Sequence, residues 1–138
     1  MLTQAKADEL LTRWKDSVRE QAFVWERDQR HEELFVMYGE EDIKFCLSLV
    51  RNPFELKAHF RTREMNIGLA RIDDQLQHHN PDGSVIHGPH IHWYREGSEL
   101  RWAEAINWYD ANNPLSTLAR FLDEVHARFK GGLQGAIA

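Results

Sequence analysis

Five of the eight histidines in this chain fall within fifteen positions: His78, His79, His87, His90 and His92. An imidazole titrates near neutral pH, exchanges protons with substrates and ligates first-row metals, so such a concentration points to a site. His90 and His92 are two residues apart in the run Pro89-His90-Ile91-His92-Trp93-Tyr94. On a strand that spacing puts both rings on one face, with Tyr94 continuing it and Ile91 and Trp93 turned to the core. Arg71 and Asp73 share a face of the preceding strand and lead into the loop that carries His78.

Three chemistries fit these groups. In the first, two imidazoles act as acid and base on a phosphodiester. Arg71 then faces the developing negative charge, Asp73 orients an imidazole and His78 supports the pair. In the second, His78, His90, His92 and Asp73 ligate zinc or another divalent ion. In the third, the histidines only tie a loop to a strand through hydrogen bonds. The acid–base reading needs no cofactor, whereas the metal reading makes a divalent ion the cofactor.

The elements around the cluster follow from patterning. Thr3 is a candidate N-cap, and Ala7, Leu10, Leu11, Trp14 and Val18 recur at helical spacing, which predicts a helix to about Gln21. The polar stretch Glu26 to Glu33 reads as a connection. Leu34–Tyr38 and Ile43–Val50 flank Gly39-Glu40-Glu41-Asp42 and predict a hairpin. After Asn52-Pro53, Phe54–Phe60 and Asn66–Asp73 read as two more strands. Ile67 and Leu69 share the parity of Arg71 and Asp73, so that strand either crosses from core to cleft or carries a bulge near Gly68.

Residues Asp74 to Pro89 carry loop chemistry, above all Asn80-Pro81-Asp82-Gly83. His90–Tyr94 and Leu100–Ile106 complete the strands. Asn113-Pro114 starts a helix whose apolar stripe, Leu115, Leu118, Phe121, Leu122, Val125 and Phe129, ends at Gly131-Gly132. The predicted fold is therefore α+β: an antiparallel sheet of about five or six strands packed against an N-terminal and a C-terminal helix. One domain over residues 1–130 and a flexible tail over 131–138 are expected.

Composition narrows the function classes. The chain has 138 residues, the length of one domain, and five Trp and seven Phe supply a core. A single cysteine, Cys46, excludes an intramolecular disulfide, and its apolar neighbours suggest a buried thiol. The first residues show no apolar leader and no run is long enough to span a bilayer, so a cytoplasmic protein without a membrane partner is expected. Net charge is −5, which argues against a general polyanion surface. A local basic stretch, Arg51, Lys57, Arg61, Arg63 and Arg71, leaves RNA as a partner.

The run Arg71-Ile72-Asp73, His78-His79-Asn80-Pro81-Asp82-Gly83, Pro89-His90-Ile91-His92-Trp93-Tyr94-Arg95-Glu96-Gly97 and Trp102-Ala103 resembles an uncharacterised family of small bacterial and prophage-borne proteins. The resemblance extends from about Phe45 to the C-terminal helix. More loosely, the order of Arg71, Asp73, His78, His90 and His92 is similar to that of the TumE-like toxins of toxin–antitoxin pairs. That likeness implies a small α+β ribonuclease with a cognate antitoxin. The expected function is thus a toxin-like ribonuclease of a mobile or defence-related locus. The alternative is a non-catalytic, phage- or prophage-encoded protein that inhibits a host defence or nucleic-acid-processing enzyme, with that host protein as its partner.

Overall fold

The computed structural model describes residues 1–26, 29–52 and 55–134, apart from the Gln29 side chain. Helix α1 (Gln4–Thr12) is followed by strands β1 (Lys15–Ser17), β2 (Phe23–Val24), β3 (Gln29–Met37), β4 (Ile43–Arg51), β5 (Leu56–Thr62) and β6 (Gly68–Asp73). Then come β7 (Gln77–His79), β8 (Val85–His87), β9 (His90–Trp93), β10 (Ala103–Ala105), helix α2 (Pro114–Val125), β11 (Ala127–Arg128) and β12 (Leu133–Gln134).

The α+β class stands, but the main sheet has eight strands rather than five or six, in the order β10-β9-β6-β5-β4-β3-β1-β11. Its centre, β3 to β6, is a meander of consecutive antiparallel strands. β9 and β10 extend one edge antiparallel. At the other edge β1 runs antiparallel to β3 and parallel to β11. The hairpin β7–β8 and the pair β2–β12 stand outside this sheet.

Period-two alternation assigns the two faces. One face carries Leu47, Phe60 and Ala70 in register and, in the next row, Leu49, Ala58, Ile72 and Ile91, all buried. Leu118, Phe121, Leu122 and Val125 from α2 and Ala7 and Leu10 from α1 belong to the same core. Phe45 and Phe60 stack at 5.2 Å, and Phe23 stacks on Phe129 at 4.7 Å. Truncating one such buried ring costs about 3–5 kcal/mol through lost burial and the cavity left behind.

The other face is polar. Glu32, Ser48, His59, Arg71 and His92 are successive partners across β3, β4, β5, β6 and β9, so their side chains form one row. At its open end Arg61 pairs with Glu32 at 3.0 Å and also donates to Ser48. Cys46 is half-buried here, beside Arg61 and Glu32, and not sealed in the core; burial still raises its thiol pKa.

The bulge expected near Gly68 is present. Phe60 pairs with Ala70 and Arg61 with Gly68, so Leu69 is the extra residue. It re-aims the strand so that Arg71 and Asp73 share the polar face while Leu69 is buried. Gly68 is required by close approach: a Cβ there would lie 2.6 Å from Leu100 Cδ1 and 2.9 Å from His59 Nε2.

Several boundaries differ from expectation. Thr3 does cap α1, its hydroxyl accepting from the Lys6 amide at 3.1 Å, but the helix stops at Thr12 instead of continuing to Gln21. Residues 15–17 pair with β3 and β11 instead, and the buried Lys15 ammonium donates to the Leu10 carbonyl at the helix end. Trp14 and Val18 are consequently exposed. The stretch expected to connect, Glu26 to Glu33, already belongs to β3 from Gln29 onward, with 27 and 28 outside the described residues.

Asn113 caps α2 through Ser116 N, as its Asn-Pro start predicts. That helix ends at Val125 rather than at Gly131, because His126 takes a left-handed conformation with φ 58° and leads into β11. Leu133 and Gln134 of the expected tail pair with β2, and 135–138 lie outside the described residues. Positions 53 and 54, in the expected Asn-Pro break and third strand, also lie outside them. No helix among the described residues is long and apolar enough to cross a membrane.

Candidate functional site: a buried histidine triad

The polar face closes over at its β9 end. His90 and His92 project from β9, opposite Asp73 and Arg71 of β6, and the hairpin β7–β8 brings His78 against them. The ring centroids are 4.6 Å apart for His78–His92, 4.8 Å for His90–His92 and 5.3 Å for His78–His90. One nitrogen from each ring lies within 4.8 Å of the others. His90 and His92 are 0% and 2% exposed, and His78 is half-buried.

The segment expected as loop is a built hairpin. His78 pairs with Ile86, and Asn80 to Ser84 form the turn, with Gly83 at φ 87°. Asn80 holds the hairpin in place. Its Nδ2 donates to the Ala103 carbonyl at 3.1 Å, and its Oδ1 accepts from the Ala103 amide at 2.8 Å. The side-chain amide thus imitates a strand partner for the edge strand β10.

Each imidazole is oriented by a backbone carbonyl. His90 Nδ1 lies 2.8 Å from the Gly88 carbonyl, His92 Nδ1 2.7 Å from that of Leu100, and His78 Nε2 2.8 Å from that of Arg101. A carbonyl only accepts, so each of these nitrogens carries the proton. The second nitrogen of each neutral ring keeps its lone pair: Nε2 of His90 and His92, and Nδ1 of His78. His90 Nε2 is buried with no hydrogen-bond partner among the described residues. Gly88, at φ 77°, adopts the backbone turn that presents its carbonyl to His90.

Arg71 is the charged neighbour. Its NH2 donates towards His92 Nε2 at 3.4 Å, while its Nε is buried without a partner among the described residues. Burial first, then the Arg71 charge, pushes the His92 pKa down to about 4, so the ring is neutral at pH 7. His59, across from Arg71, is likewise lowered to about 4 by burial and by Arg61 and Arg71. Its Nε2 is also buried without a partner among the described residues.

Of the residues expected at the site, the fold therefore gathers His78, His90 and His92, with Arg71 touching His92. Asp73 is buried opposite His90, and its Oδ1 accepts from the Gln75 amide at 2.9 Å, capping the turn into β7. The groups seen to orient the imidazoles are the three carbonyls. His79 and His87 are exposed on the hairpin. Tyr94 does not continue the histidine face as a site group: it is 3% exposed, part of the core, and donates to the Leu2 carbonyl at 2.5 Å. His59 was not expected at the site. Its signal was the alternation of β5, which puts it on the polar face, but only strand order places it opposite Arg71.

Three imidazoles, each fixed through one N–H to a backbone carbonyl and with one nitrogen of each within 4.8 Å of the others, are held as metal-ligating histidines are held. A tetrahedral zinc site, with Zn–N of about 2.0–2.1 Å, holds its nitrogens about 3.3 Å apart, so the most widely separated nitrogens need to close by up to about 1.5 Å. Three surface hollows, of about 390, 320 and 400 Å³, are lined by other residues.

Fold and site together define an α+β protein whose mostly antiparallel sheet and accessory hairpin enclose a three-histidine cluster. The chain belongs to a family of unknown function, DUF6978, whose model matches residues 2–127. No curated protein and no solved structure matches it.

Proposed function

We propose that His78, His90 and His92 form a divalent-metal centre, with zinc the preferred ion, and that the protein is a metal-dependent hydrolase. One observation carries this reading. Each ring has one nitrogen tied to a backbone carbonyl, one nitrogen of each ring lies within 4.8 Å of the others, and the buried His90 Nε2 has no partner among the described residues. A partnerless buried acceptor costs about 1–3 kcal/mol, and an ion at that point removes the cost. The neutrality of His92 suits a ligand, since a metal competes with protons for the same lone pair.

A three-histidine ion leaves a fourth position for water, whose pKa it lowers towards 7, and that is the means of hydrolysis at neutral pH. His90 and His92 hold the ion from the rigid sheet. His78 closes over it from the hairpin, and Arg71 faces the same space from β6. Asp73 serves the scaffold in this reading.

A second reading, metal-free acid–base cleavage of RNA as in a toxin-like ribonuclease, is favoured by the order of the five residues and by the Arg71–His92 contact. Equilibrium dialysis of the purified protein against zinc, with and without chelator, tests the metal reading. One zinc per chain is expected, lost in the His90→Ala, His92→Ala double variant. RNA and a simple phosphodiester are then offered with and without EDTA. Cleavage abolished by EDTA and restored by zinc supports the hydrolase, while cleavage that persists in EDTA supports the acid–base ribonuclease. A protein that takes up no stoichiometric zinc refutes the metal centre.

A further inference from the structure

We infer that Arg71 and His59 form an anion cradle beside the triad, which binds the carboxylate or phosphate group of the substrate next to the metal ion. This rests on the metal reading above and names the kind of group its substrate carries.

Two observations support it. The first is a pair of buried nitrogens without partners among the described residues, Arg71 Nε and His59 Nε2, on residues directly opposite each other on β6 and β5. Side chains so paired have Cβ atoms about 4.5–5.5 Å apart, close enough to serve one small ligand. Native folds rarely leave a guanidinium N–H dry and unpaired, because it loses its water without compensation. Gly68 lets His59 Nε2 take this place, since a Cβ at 68 would come within 2.9 Å of it.

The second is the charge balance. A divalent ion on three imidazoles keeps its double charge, and Arg71 adds another positive charge. Of the carboxylates on this face, Glu32 is paired with Arg61, and Asp73 accepts from the Gln75 amide. With the ion bound, the positive charge beside Arg71 exceeds the single negative charge of Asp73, which favours an anion. Arg71 contributes geometry as well: Nε and a terminal nitrogen form a planar fork that matches two oxygens of a carboxylate or phosphate. In the metal-free protein one tine of the fork rests on His92 Nε2, the lone pair that the ion takes. Metal binding therefore releases that nitrogen towards the anion, so the two ligands bind with positive coupling.

Cobalt(II)-loaded protein tests this, because the visible absorption of cobalt reports its coordination. Inorganic phosphate and acetate are titrated separately, to distinguish the two oxyanion classes. Saturable spectral change with at least one of them is expected, and Arg71→Gln should weaken that anion about 10- to 100-fold, as for loss of a charge-assisted pair. Cobalt affinity in Arg71→Gln should be unchanged or tighter, because a repelling charge is gone. Arg71→Lys keeps the charge but not the fork and should fall between, and a thermal melt confirms that both variants fold. Cobalt that binds normally while neither anion does, or an anion that binds Arg71→Gln as tightly as the parent, overturns the cradle alone. Cobalt that fails to bind overturns the metal centre, and the cradle with it.

Discussion

Acidifying the metal-free protein should destabilise it through His59 and His92. His92 is buried and His59 half-buried, and both are held neutral, each with a pKa lowered from 6.5 to about 4. In the unfolded chain they regain the ordinary value, so below pH 6.5 the unfolded state binds more protons and stability falls with pH. Above pH 6.5 both states are deprotonated and the effect vanishes. It grows as pH drops towards 4 and levels off below that. Between about pH 7.5 and 5.5, each histidine removes about 1.4 kcal/mol, or about 3 kcal/mol for the pair. That window keeps clear of most carboxylate titration. With a urea slope of about 2 kcal/mol/M, the midpoint should fall by about 1.4 M. The assay is urea unfolding in EDTA at the two pH values, on the parent and on His59→Gln and His92→Gln. Each variant should lose about half the pH dependence. A parent midpoint that moves by less than about 0.3 M, or variants that retain the full shift, would refute the burial of neutral imidazoles on this face.

Asn80→Ala removes both hydrogen bonds to Ala103 and leaves that backbone unpaired, so it should cost about 1–3 kcal/mol by denaturant unfolding and weaken zinc binding by loosening His78. Gly68→Ala should destabilise by about 1–3 kcal/mol, because its Cβ meets Leu100 and His59 inside 3 Å. Lys15 lies over the Phe45 and Phe60 rings at 5.6 and 5.5 Å, and burial lowers its pKa from 10.5 to about 7. Lys15→Met should therefore raise stability at neutral pH by about 1–3 kcal/mol. Its advantage should shrink as pH rises towards 10.5, where the unfolded lysine also loses its proton.

Sequence patterning revealed the parts of this fold that repeat a period over enough residues. The alternation in Ile43–Val50 and the Asn113-Pro114 cap are both realised. The opposed faces of β9 are realised as well, with Ile91 in the core and His90 and His92 turned away from it. What stayed hidden depends on partners distant in the chain. β1 and β11 are three and two residues long and exist only because they pair with each other and β1 with β3. Phe129 fits the helical stripe of α2 yet is buried from beyond its end, stacked on Phe23, so period alone did not distinguish the two. The histidine cluster was visible as composition. The carbonyls of Gly88, Leu100 and Arg101 that orient its rings carry no residue-type signal, because every residue has one. His59 entered the site only through the strand order that sets β5 beside β6.

The central claim is that three imidazoles of this chain hold one ion, and X-ray absorption at the zinc edge of the loaded protein reads that directly. The account predicts three histidine nitrogens at about 2.0–2.1 Å and one lighter ligand completing the shell, with the imidazole signal collapsing in the His90→Ala, His92→Ala variant. A shell of oxygen ligands without imidazole scattering, or one unchanged in that variant, would contradict it.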